Sequence, residues 1–225
     1  MKPWGCFPLI LFLLLLVLLP VVFGHLFTAA LLKLKLEPAT AALLVLAIFI
    51  GGAVNVPVKR IARTETLLAD PFAVFGIPGW WPRFRRIRRE TVIAVNVGGC
   101  VVPVGLAAYE TAYLLGEGPE SVSGLVVAAA ITAAVCYWTA KPIEGIGIAL
   151  PGFVPPFTAA ISALVLAPEQ ATPVAFIAGV LGPLIGADLL HLRDVERIAT
   201  GMASIGGAGT FDGIVLSGIV AAYLA

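Results

Sequence analysis

Two aspartates stand in runs otherwise apolar enough to cross a membrane, Asp188 in "GPLIGADLLHL" and Asp212 in "GGAGTFDGI". A charge at bilayer depth costs at least about 2.5–3.5 kcal/mol on insertion scales, so such residues face protein or water and are functional candidates by default. The connection around Arg193 and Arg197 is short, which makes the two carrier helices antiparallel neighbours. Counted inward from it, Asp188 lies about one turn and Asp212 about two turns deep, only several ångströms apart in depth at about 1.5 Å per residue. Two carboxyls that meet there share a proton, one acting as base and the other as acid. Held apart across a cavity, they become proton or ion sites instead.

Other residues gather at the same level. The tetrapeptide "AVNV" occurs at 53–56 and again at 94–97, which brings Asn55 and Asn96 to similar depth on helices running in opposite directions. Each is followed by helix breakers, and the amides would either orient the aspartates or hydrogen-bond across helices as glue. Gly206, Gly207 and Gly209 loosen the chain before Asp212 so that a ligand backbone can approach; Gly209 and Gly213 also have the spacing of close helix packing. The segment "KPIEGIGIALPGFVPPF", 141–157, contains Pro151 and Pro155 among four prolines and three glycines. A kinked, re-entrant or discontinuous segment is expected, a form tolerated in membranes only where it is buried in protein or lines a cavity.

The elements that must position these residues follow from hydropathy. The chain is 60% hydrophobic and 12% charged, a composition that soluble domains do not reach. Runs of about 20 apolar residues, the length that crosses about 30 Å of hydrocarbon, fall at 7–32, 39–58, 91–115, 121–140, 146–166, 172–192 and 203–224. The expected fold is an all-α polytopic transmembrane helical bundle of about seven spans, forming one integral membrane domain over 1–225. Lys2 and the apolar run that follows it resemble a signal peptide, yet apolar sequence continues past Gly24, which favours a retained helix.

Eight of the fourteen basic residues crowd into the connection at 59–90. The positive-inside rule makes that connection cytoplasmic. Alternation then places the N-terminus in the cytoplasm and the C-terminus outside, in a cell (plasma) membrane. Within the connection Trp80 and Trp81 are followed by Arg83, Arg85, Arg86, Arg88 and Arg89. Tryptophan at headgroup level and arginine against anionic lipid form an interfacial anchor, and the prolines there argue against a long helix.

Several chemistries are excluded. His25 and His191 build no HExxH zinc motif, no GxSxG elbow occurs, and no phosphate-binding glycine loop is present. Cys6, Cys100 and Cys136 are scattered through apolar sequence without metal-ligand spacing. No metal or cofactor is implied, and a net charge of +1 argues for no nucleic-acid partner.

The strings "NVP", "AVNVGG", "IGIALPGFVPPF", "LIGADLLHL" and "SIGGAGTFDGI" together resemble an uncharacterised prokaryotic membrane family, domain of unknown function 1614. That resemblance implies a polytopic membrane fold and no activity. The two aspartates, the glycine-rich segment and the proline-rich segment also resemble the presenilin and signal-peptide-peptidase class of intramembrane aspartyl proteases. The match is incomplete, since Thr210-Phe211 precede Asp212, Ala187 precedes Asp188, and Ala149-Leu150-Pro151 stands where that class has proline-alanine-leucine. What this second resemblance implies is a catalytic pair, Asp188 and Asp212, acting on a transmembrane peptide. A proton- or ion-coupled transporter or channel, with a small ion as its partner, and a non-catalytic lipid-binding protein are the other readings open to the same residues.

Overall fold

A computed structural model describes residues 7–69, 83–143, 147–194 and 201–225; the side chains at 62–69, at 83–89 and at several positions of the first helix lie outside the description. Seven α-helices are present among the described residues: α1 (Phe7–Lys33), α2 (Pro38–Gly51), α3 (Val102–Glu117), α4 (Pro119–Thr139), α5 (Val154–Leu166), α6 (Ala171–Gly182) and α7 (Gly213–Leu224). Proline at the first positions of α2, α4 and α5 costs nothing, because those N–H groups have no partner within the helix. A π-helical turn at Val97–Val101 leads into α3, and another at Pro183–Leu189 continues α6.

The centre of the bundle is α6. It packs against α3, α4, α5 and α7, and Val174 to Ala178 are all buried, which is the pattern of a helix enclosed on every side. Close approach is achieved with small residues. A Cβ on Gly179 would stand 2.7 Å from the Ser217 carbonyl oxygen on α7, and one on Gly186 would stand 2.1 Å from the Ala133 carbonyl oxygen on α4. Large apolar residues point outward instead, Trp138 at 77% exposure and Val165 at 73% among them, as a surface facing lipid requires.

Three segments are long and apolar enough to cross a membrane, Val97–Glu117, Pro119–Thr139 and Pro168–Asp194. This is a membrane protein. Four shorter apolar helices accompany them: Val21–Lys33 within α1, then α2, α5 and α7. Of the seven full spans expected, the described residues thus show three with four shorter apolar helices, and the all-α class is corrected, because five β-strands occur among the described residues.

The basic connection at 59–90, expected to be an interfacial loop, is paired β-strand over its described residues, 59–69 and 83–90. Strand β1 (Asn55–Ala69) runs antiparallel to β2 (Arg83–Asn96), and β5 (Met202–Ile205) adds to β2 in parallel, giving the order β1-β2-β5. Val56, Val58 and Ile61 of β1 and Thr91, Val92, Ile93 and Val95 of β2 are β-branched, and such side chains suit a pleated sheet better than a helix. Hydropathy alone reads the same residues as the ends of spans two and three. The ladder shifts register between Pro57 and Lys59, where proline has no N–H to give.

The proline-rich segment is indeed discontinuous. Strand β3 (Lys141–Ile143) pairs with β4 (Gly147–Ala149), a turn follows at Pro151, and α5 begins only at Val154. With 13 residues, α5 is about 20 Å long, short of the hydrocarbon thickness. The expected seventh span is likewise divided into β5, a 3₁₀ turn at Gly209–Phe211, and α7.

Candidate functional site

The sheet, the end of α6 and the start of α7 converge on one cavity of about 390 Å³. Strands supply part of its wall, Ile93 from β2, all four residues of β5, and Gly147 and Ile148 from β4. The remainder comes from Asp188 and Leu192 beyond α6, and from Gly206 to Ala208 and Asp212 before α7. Both aspartates thus face the same space, and both are half-buried.

Their environments differ. Asp212 is the N-cap of α7: its Oδ1 accepts from the Ile214 N–H at 2.9 Å and its Oδ2 accepts from the Ala208 N–H at 3.3 Å. An aspartate here satisfies backbone donors and complements the positive end of the helix dipole. Gly206 and Gly209, with φ of +72° and +61°, let the chain double back so that Ala208 N–H can reach that carboxylate. Asp188 sits in the π-helical turn after α6, and among the described residues its carboxylate has no hydrogen-bond partner. A π turn displaces one residue from the α-helical path, and such turns recur at functional sites.

The two asparagines meet each other, not the aspartates. Asn55 and Asn96 are direct partners in the β1–β2 ladder, so the repeated tetrapeptide pairs with itself. Asn96, fully buried, donates from Nδ2 to the Gly52 carbonyl at 2.8 Å and to Asn55 Oδ1 at 3.1 Å, while its Oδ1 accepts from the Gly99 N–H at 2.7 Å. Neither amide lines the cavity. Their link to it is Ser204, a cavity residue on β5 whose hydroxyl donates to Asn55 Oδ1 at 2.5 Å. Composition gives a serine among glycines no distinction, and only the register of β5 against β2 places it there. Asn96→Ala removes all three bonds of a buried amide and strands Gly99 N–H. We expect a loss of about 2–3 kcal/mol, read as a lower midpoint of thermal unfolding in detergent, with Asn55→Ala costing less because Asn55 is only half-buried.

Of the other expected residues, Gly206 and Gly207 line the cavity, whereas Gly209 packs on Gly52. Pro151 and Pro155 are placed elsewhere, Pro151 at the turn before α5 and Pro155 buried in its first turn. The hairpin ahead of them takes their expected position, because Gly147 and Ile148 project from β4 into the cavity wall. Trp80 and Trp81 lie outside the described residues; Arg83, Arg85, Arg86, Arg88 and Arg89 belong to β2, where only the backbone is described.

A family model described as a protein of unknown function, DUF1614, matches residues 49–224. The chain belongs to the DUF1614 family. The matched region contains every cavity residue of this DUF1614 protein and leaves out α1. No curated protein and no solved structure matches the chain.

Proposed function

We propose that this DUF1614 protein is an intramembrane aspartyl protease whose site opens near the cytoplasmic face of the plasma membrane. The observation that carries the reading is that Asp188 and Asp212 border one cavity in unlike environments, beside the edge strand β5. Two N–H donors and a helix N-terminus favour Asp212 as the carboxylate, and Asp188, which has no hydrogen-bond partner among the described residues, is the matching acid. In this scheme Asp212 takes a proton from water as the water oxygen bonds to the scissile carbonyl carbon, while Asp188 gives its proton to the carbonyl oxygen. The resulting diol collapses: the C–N bond breaks, Asp212 passes its proton to the leaving amine, and Asp188 recovers its own. Strand β5 offers an edge to which an extended peptide segment can add by backbone hydrogen bonds.

The basic residues of the β1–β2 hairpin set the orientation, N-terminus inside and C-terminus outside, and suit anionic lipid as a partner. The substrate class is a transmembrane peptide. Two observations favour other readings. Helical geometry is broken around the site at Val97–Val101, Pro183–Leu189 and Gly209–Phe211, as in proton- or ion-coupled transporters. Capping alone also accounts for the Asp212 carboxylate, which suits a non-catalytic lipid-binding protein. The test is incubation of the purified chain in vesicles containing phosphatidylglycerol with a library of single-span peptides, read by mass spectrometry. New peptide termini that disappear when a hydroxyethylene isostere replaces the scissile bond support hydrolysis. Intact peptides together with pH-driven ion uptake would replace it with transport, and intact peptides without flux would leave the lipid-binding reading.

A further inference from the structure

Away from the cavity, a second carboxyl lies inside the bundle. Glu110 is on α3, eight residues from its start and seven from its end, within a segment of spanning length. It shares the helix's buried stripe with Pro103, Leu106, Ala107 and Leu114, so its side chain points toward the core and not toward lipid. Only 2% of it is exposed, and among the described residues its Oε1 has no hydrogen-bond partner.

The helices packed against α3 supply no counter-charge among the described residues. Neither α2 nor α6, both packed on α3, carries a titratable residue. On α4 the titratable residues are Glu120 in the first turn and Cys136 and Tyr137 near the far end, where Cys136 packs against Gly186. Tyr223 of α7 is engaged with Lys33, whose Nζ lies 5.6 Å from the ring centroid and bonds the Tyr223 carbonyl at 2.7 Å. Among the described residues, Lys35 is the cation whose field reaches Glu110. Its ammonium is held by Tyr113, donating to the hydroxyl at 3.4 Å and lying 5.7 Å from the ring centroid, and it forms no ion pair with Glu110 among the described residues.

An isolated carboxylate anion in such surroundings is far more costly than the neutral acid. We propose that Glu110 is an intramembrane proton-binding site, holding its proton within the bundle and exchanging it through the end of the bundle where Lys35 and Tyr113 lie. The site is distinct from the aspartate cavity, none of whose lining residues belongs to α3.

Hydrophobic carbodiimides add to protonated carboxyls within membranes and rearrange to a stable N-acylurea, which makes dicyclohexylcarbodiimide the probe. The full chain in phosphatidylcholine vesicles is treated over a pH series and digested, and the peptide bearing Glu110 is weighed. The expected result is an adduct on Glu110 that declines as pH rises, is absent in Glu110→Gln, and persists in Asp188→Asn and Asp212→Asn. Those last two variants separate this proposal from the proposed hydrolysis, which they abolish. Should Glu110→Gln fail to fold, Glu110→Asp, which keeps the acid, is expected to retain the adduct. No adduct on wild-type Glu110 at any pH would overturn the proposal, as would equal labelling by a water-soluble carbodiimide, which would mark a water-exposed carboxyl. Protection by sodium ions would overturn it in favour of a cation site.

Discussion

Asp188→Asn and Asp212→Asn are each expected to reduce peptide cleavage by on the order of 10³-fold or more, the upper range for loss of a positioned acid or base. The double variant is expected to be no worse than either single one, because in the proposed scheme the two carboxyls act as one unit and their effects do not add. Asparagine keeps the shape of the side chain, but its amide can neither take up nor give the proton that the carboxyl exchanges. At position 212 it also keeps the cap, since asparagine and aspartate are comparable N-cap residues. Asp212→Asn should therefore unfold at nearly the wild-type temperature. Asp212→Ala, by contrast, releases the N–H groups of Ile214 and Ala208 and should lose about 1 kcal/mol of stability as well as activity. Cleavage rates and unfolding midpoints measured on the three variants separate chemistry from architecture. Full cleavage by Asp212→Asn would reduce that residue to a helix cap.

The largest expected effect on stability lies in a cluster of glycines beneath the cavity. A Cβ on Gly99 would stand 2.0 Å from the Gly206 carbonyl oxygen, and one on Gly98 would stand 2.1 Å from that of Ile48 and 2.3 Å from Gly52 N. All of these obstacles are backbone, so no rotamer change can relieve them. Gly98→Ala and Gly99→Ala must push whole segments apart, at a cost of about 3 kcal/mol or more, and are expected to yield little folded protein in detergent. Gly105→Ala and Gly116→Ala are the controls. Nothing lies within 4 Å of a Cβ at either position on α3, and removing a helix glycine there should gain up to about 1 kcal/mol. Size-exclusion profiles and thermal midpoints across the four variants report the difference. Because Gly206 both touches Gly99 and lines the cavity, a partly folded Gly99→Ala should lose activity beyond its loss of stability.

These contacts recast the glycines before Asp212. Gly206 and Gly209 have positive φ, which returns the chain toward its own cap, and the same two residues give α2 and the π-helical turn before α3 room to approach. One run of glycines serves the local turn and the distant packing together. Neither role requires a flexible helix.

The sequence by itself determined the solvent of this protein and the candidates for its chemistry. Hydropathy is a sum over neighbouring residues, so the segments behind α3, α4 and α6 are legible without a fold, and the cost of burying a charge in lipid singles out Asp188 and Asp212 on the same local terms. It also allowed the break at 141–157 to be anticipated, because proline and glycine act on their own backbone. Only the tertiary structure decided how these pieces meet. The inner ends of spans two and three are apolar enough to read as helix, and they become β1 and β2 because each finds the other's backbone. That pairing joins residues 41 positions apart, Asn55 and Asn96, and no window along the chain contains it. Ser204 reaches the site through a register with β2 more than a hundred residues away. Glu110 passes as one acid in an apolar span until α6 and its neighbours close around α3 and leave Oε1 without a partner among the described residues. Propensity and hydropathy are properties of segments, whereas hydrogen-bond pairing, backbone contact and burial belong to pairs of segments, and those pairs exist only once the chain has folded.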